Sequence, residues 1–100
     1  MQHTFVEKLA ESDRAKKCGN HRLVLELVPV GIRSNITRKY IYHNTVICQA
    51  CENLKIFYVD ASWGSVSTTQ ACNAYRNYYL NKEYTEVTQK VYDYKITHEV

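Results

Sequence analysis

The stretch Val46–Leu80, VICQACENLKIFYVDASWGSVSTTQACNAYRNYYL, constrains the fold more than any other part of the chain. Thr45–Cys51 is rich in β-branched and small apolar residues, and Leu54–Val59 is a dense run of strand formers. Two such runs around the polar pair Glu52-Asn53 predict a hairpin. Leu54, Ile56 and Tyr58 would share one face of the second strand, with Phe57 and Val59 on the other. A strand apolar on both faces belongs inside a sheet. Asp60–Val66 reads as a loop, and Ser67-Thr68-Thr69-Gln70 as a capping box that opens a helix at Ser67. That helix presents Ala71, Ala74, Tyr75, Tyr78 and Lys82 on one side. Two alanines there allow a close approach to the sheet.

This arrangement resembles a pattern found in small orphan proteins of bacteriophages. The residues that carry the resemblance are Thr45-Val46, Phe57-Tyr58-Val59, and Ser67-Thr68-Thr69 with Asn73-Ala74. They cover about a third of the chain. The resemblance implies a viral host-takeover or counter-defence factor. It carries over no catalytic residue.

The remaining elements follow from pattern. Thr4-Phe5-Val6-Glu7 forms another capping box, predicting a helix that runs to Cys18 and stops at Gly19. His21–Val30 reads as a strand with Leu23, Leu25 and Leu27 on one face; Pro29 ends it or puts it at an edge. Residues 36–43 read as a further strand. Glu83–Thr88 reads as a connection. Lys90–Glu99 alternates, with Tyr92, Tyr94 and Ile96 against Val91, Asp93, Lys95 and Thr97, which predicts a half-exposed strand. The expected fold class is α+β: one domain over 1–100, with a mainly antiparallel sheet of about five strands and two helices, in the order α-β-β-β-β-α-β.

Composition narrows the function. One hundred residues suffice for a modest core, and 45% apolar residues suit a globular chain. Nine tyrosines are many; strand packing accounts for most of them, and recognition surfaces also favour tyrosine. A net charge of +3 permits nucleic-acid contact without demanding it. No apolar run approaches the roughly 18 residues that span a bilayer. The polar start MQHTFVEKLAES is no signal peptide, so the expected address is cytoplasmic.

The one set with metal-ligand spacing is Cys18-x-x-His21 with Cys48-x-x-Cys51. Cys48 and Cys51 fall in a strand, where residues three apart face opposite sides. The expectation is therefore four packing thiols, no metal and no cofactor, with only one of Cys48 and Cys51 facing the core. A zinc site of Cys18, His21, Cys48 and Cys51 is the alternative. Cys72, near the start of the predicted helix, is read as packing. No phosphate loop, dinucleotide fingerprint or Ser-His-Asp set is present, so the chain is expected not to be an enzyme.

The leading expectation is a phage-type inhibitor that binds a host protein or complex, such as a CRISPR effector, in an anti-CRISPR-like role. Its candidate contacts are Trp63 in the Asp60–Val66 loop and Arg38, Lys39, Tyr40 and Tyr42. Trp63 as a cap on the core is the competing reading. The alternative is a nucleic-acid-binding module, with Arg33, Arg38 and Lys39 on phosphates and neighbouring tyrosines stacking on bases.

Overall fold

The computed structural model describes residues 4–62 and 65–100. Among them the fold is α+β, with six strands and three helices. The elements are α1 (Thr4–Ala10), β1 (Lys16–Cys18), β2 (His21–Val30), β3 (Arg33–Tyr42), β4 (Thr45–Cys51), β5 (Ile56–Val59), α2 (Val66–Asn81), β6 (Thr85–Glu86) and α3 (Gln89–His98). The strands form one sheet in chain order, antiparallel except for β6 beside β5.

Short turns set that order. Gly19 and Gly31 each take a left-handed backbone (φ +63°) at the first loop position of their hairpins. His43 and Asn44 are both left-handed (φ 50° and 66°), the pattern of a primed two-residue hairpin turn. The β4–β5 connection is longer than Glu52-Asn53. It spans residues 52–55, Lys55 is left-handed (φ 55°), and the Lys55 amide donates to the Cys51 carbonyl at 3.0 Å.

Three expected boundaries move. The first helix ends at Ala10, not Cys18. The Ser12 hydroxyl bonds the Arg14 backbone, a local alternative to helix, and Lys16–Cys18 then pairs with His21–Leu23 as β1. The cap of the second helix lies two residues earlier than expected: Ser65, not Ser67, caps it, accepting from the Thr68 amide at 3.1 Å. Lys90–Glu99 is no strand. Thr88 caps α3 by accepting from the Val91 amide, and Tyr92 and Ile96, four apart, form its buried stripe. The last strand is instead the short β6, inside the segment expected to be a connection.

The sheet has a core on each face. On one side Val6, Leu9, Leu23, Tyr40, Ile47, Cys48, Ala50 and Phe57 pack with α2 residues Ala71, Cys72, Ala74, Tyr75 and Tyr79. On the other, Cys51, Ile56 and Tyr58 pack with Tyr92 and Ile96 of α3. β5 thus lies inside the sheet, covered on both faces. In β4 the register slips between its pairings with Tyr40 and Ile41, leaving Ile47 as an extra residue. Ile47 and Cys48 consequently both enter the α2 core. Asn35, fully buried, fastens α3 by donating to the carbonyls of Ile96 (2.7 Å) and Glu99 (2.6 Å).

Candidate interaction surface

β2 and β3 pair along their whole lengths, from His21–Tyr42 to Val30–Arg33. β1 covers only Leu23 and the two residues before it. Among the described residues no strand pairs with the outer edge of β2 from Val24 onward, and Pro29 falls there, as its missing N–H requires. The far half of this hairpin also outruns the α2 core. Leu23 is buried, but Leu27, on the same strand face, is 67% exposed. Its cross-strand partner Ile36 is 41% exposed, and Ile32 at the tip is fully exposed. Leu27, Ile32 and Ile36 form an apolar hairpin end, with exposed Arg33 and Glu26 near by. Glu26 is held by Lys39 at 3.0 Å.

The expected contact residues divide by strand alternation. Arg38 and Tyr40 face the α2 core, and only Lys39 faces out. Arg38 is 6% exposed and Tyr40 wholly buried, so neither is at the surface as expected. The Arg38 guanidinium donates to Glu52 (2.5 Å), to the Tyr40 hydroxyl (3.2 Å) and to the carbonyls of Leu9 and Ser12. Burial opposes its charge, but the Tyr40 hydroxyl and Glu52 outweigh that and raise its pKa. Tyr40 in turn shares a 2.5 Å hydrogen bond with the Tyr79 hydroxyl. Tyr42 is half-buried. Trp63 lies outside the described residues.

The Cys/His set is not assembled. Cys48 belongs to the α2 core and Cys51 to the α3 core, with the sheet between them. Both are buried, so the expectation that only one faces a core is corrected: each face of this sheet has its own core. Cys18 and His21 are cross-strand partners in the β1–β2 hairpin. The His21 ring is sandwiched between Phe5 (4.1 Å) and Tyr42 (4.5 Å), and its Nδ1 lies 3.3 Å from the Tyr75 hydroxyl. Burial, with a smaller contribution from the charge of His43, lowers its pKa to about 4. Among the described residues no group of three or more His, Cys, Asp or Glu side chains could hold a metal ion. Burial raises the pKa of Cys48, Cys51 and Cys72, the reverse of what a thiolate nucleophile needs. Cys72 donates to the Asp60 carbonyl at 3.4 Å, a packing role.

Most tyrosines are structural: Tyr40, Tyr58, Tyr75, Tyr79 and Tyr92 are buried. The hairpin patch was legible in part, since Leu27 and Ile36 are visible in sequence. What hid it was the length of the helices above, which pattern alone does not reveal. No helix among the described residues is long and apolar enough to cross a membrane. The chain matches no family model, no curated protein and no solved structure.

Proposed function

We propose that this chain is a small non-catalytic accessory protein of bacteriophage type, which binds a host protein in the host cytoplasm and inhibits it as a counter-defence factor. The supporting observation is the apolar end of the β2–β3 hairpin, where Leu27, Ile32 and Ile36 stand in water beside a free strand edge. Exposed apolar clusters mark protein contacts, and a free edge can add a partner's strand. Glu26 and Lys39 pair on the opposite face of the same hairpin. Trp63 remains a candidate second anchor.

The test is affinity capture from bacterial lysate with the wild-type chain and with a Leu27→Asp/Ile36→Asp variant. A partner held by the wild type and lost from the variant, with circular dichroism and melting point unchanged, is the expected result. No stable partner, or equal recovery by both, would sink the reading.

A nucleic-acid module is the second reading, favoured by one feature. Lys17, Arg22 and Lys39 lie on the sheet face opposite the α2 core, in cross-strand register with Ile41 and Val24. Arg38 drops out of this group and Arg33 lies at the hairpin's other end. Binding to a single strand should then weaken steeply between low and moderate salt. Absence of binding at low salt removes it.

A further inference from the structure

Beside the end of α2 lies an open cavity of about 300 Å³. Its walls are unusual in combining rings and cations. Tyr78, Tyr79 and Tyr84 line it, with Tyr79 in the middle: its ring centroid is 5.2 Å from that of Tyr78 and 4.8 Å from that of Tyr84. Tyr79 is buried and forms the floor, while Tyr78 and Tyr84 are half-buried flanks. Three cations line the same cavity: Arg38, Lys55 and Lys82. The only acidic lining residue among those described is Glu52, and Arg38 already holds its carboxylate.

The two lysines are the informative part. Neither makes an ion pair among the described residues. Instead the Lys55 ammonium sits 5.2 Å from the centre of the Tyr84 ring, and the Lys82 ammonium 5.5 Å from that of Tyr78. A cation over a half-exposed ring is weakly held and readily exchanged. Two turns bring these groups together. The left-handed turn at Lys55 starts β5, and the turn after α2 carries Lys82 and Tyr84, whose amide donates to the Tyr79 carbonyl.

A ligand that satisfies this lining has a flat ring to lie on tyrosine and an anionic group to receive the lysines. We propose that the cavity binds a nucleoside phosphate, its base against Tyr78 or Tyr84 and its phosphate drawing Lys55 and Lys82 off the rings. Base–aromatic stacking tolerates any base, so the site recognises the class and not one nucleotide. The cavity volume suits one nucleotide unit. The unit is either a free nucleotide or the end of a single strand. This proposal does not rest on the host-protein reading, and either can fail alone.

The experiment is titration of the isotopically labelled protein with AMP, followed by amide chemical shifts. Saturable shifts at Lys55, Tyr78, Lys82 and Tyr84 with a Kd below about 1 mM are expected. Lys55→Asn/Lys82→Ala should weaken binding roughly tenfold or more, since two charge-assisted contacts go. Asn tolerates the left-handed turn, and Lys82 caps α2 only through its backbone, so the variant's other shifts should stay in place. A short oligonucleotide that binds no tighter than AMP identifies a free nucleotide; one that binds at least tenfold tighter identifies a strand end. No saturable shift, unchanged binding by the variant, or equal binding of inorganic phosphate or adenosine would overturn the proposal.

Discussion

Arg38 ties together three parts of the chain that are distant in sequence: the end of α1 through the carbonyls of Leu9 and Ser12, the β4–β5 turn through Glu52, and α2 through Tyr40 and Tyr79. A buried ion that loses its surroundings is costly in both directions. Arg38→Ala should destabilise the fold by about 3 kcal/mol, because two carbonyls, a hydroxyl and a carboxylate lose a donor at once. Lys39→Ala, one position along on the outer face, should cost less than about 1 kcal/mol, as exposed pairs do. Urea unfolding of the two variants compares them directly. His21 sets the second residue-scale expectation. Its pKa is held near 4 against an ordinary 6.5, so the unfolded chain binds the proton first as pH falls. Stability should be level above about pH 6.5 and decline between there and pH 4, by on the order of 1–2 kcal/mol after allowing for the half-open ring. His21→Phe should flatten that part of the profile. The ring's neighbours are Phe5, Tyr42 and Tyr75, with His43 also acting on it, so among the described residues no carboxylate stands against it to reverse the sign.

At the scale of elements, caps decide boundaries. Ser65 and Thr88 each satisfy an amide of a first helical turn. Ser65→Ala should lower the midpoint of thermal unfolding with a cost of about 1 kcal/mol, whereas Ser67→Ala, inside the first turn and exposed, should stay within about 0.5 kcal/mol. Equal effects would restore Ser67 as the cap. The Ser-Thr-Thr stretch announced a helix start in sequence but allowed two registers, since a cap needs only an oxygen three residues before a free amide. The same ambiguity misplaces the last element. Tyr92, Tyr94 and Ile96 alternate as a strand would, yet Tyr92 and Ile96 also stand four apart as a helix requires. Tyr94 breaks the tie: it is exposed and stacks on His98 one turn along, at 4.1 Å.

For the whole molecule, the sheet is an inner layer between α1 with α2 and α3 with the chain's end. Cys48 and Cys51 lie in different halves of that arrangement. Cys48→Ala and Cys51→Ala should each cost about 1–2 kcal/mol, because each leaves a small void against a helix. A near-zero cost for Cys51→Ala would mean that α3 does not seal its side. The radius of gyration is 12.9 Å, but the longest extent is 41 Å against 26 and 25 Å, so the molecule is drawn out along one axis. α3 covers one face of the far half of the β2–β3 hairpin, but on the α2 side the hairpin outruns the helices, and its apolar end stays in water as a result.

The sequence alone determined what short-range physics controls. β-branched runs made β2, β3, β4 and β5, glycines and Asn44 made their turns, and alanines at helical spacing brought α2 close to the sheet. It determined the alternation that sends Cys48 and Cys51 to opposite faces. Only the tertiary structure decided which of two alternating faces meets a helix, since that depends on contacts between segments far apart in the chain. Arg38 therefore looked like a surface cation and is a buried tie, and Lys90–Glu99 looked like a strand and is the helix that closes the second core. Lys55 and Lys82 carried no shared pattern at all, because 26 residues and a helix separate the two cations that one cavity brings together.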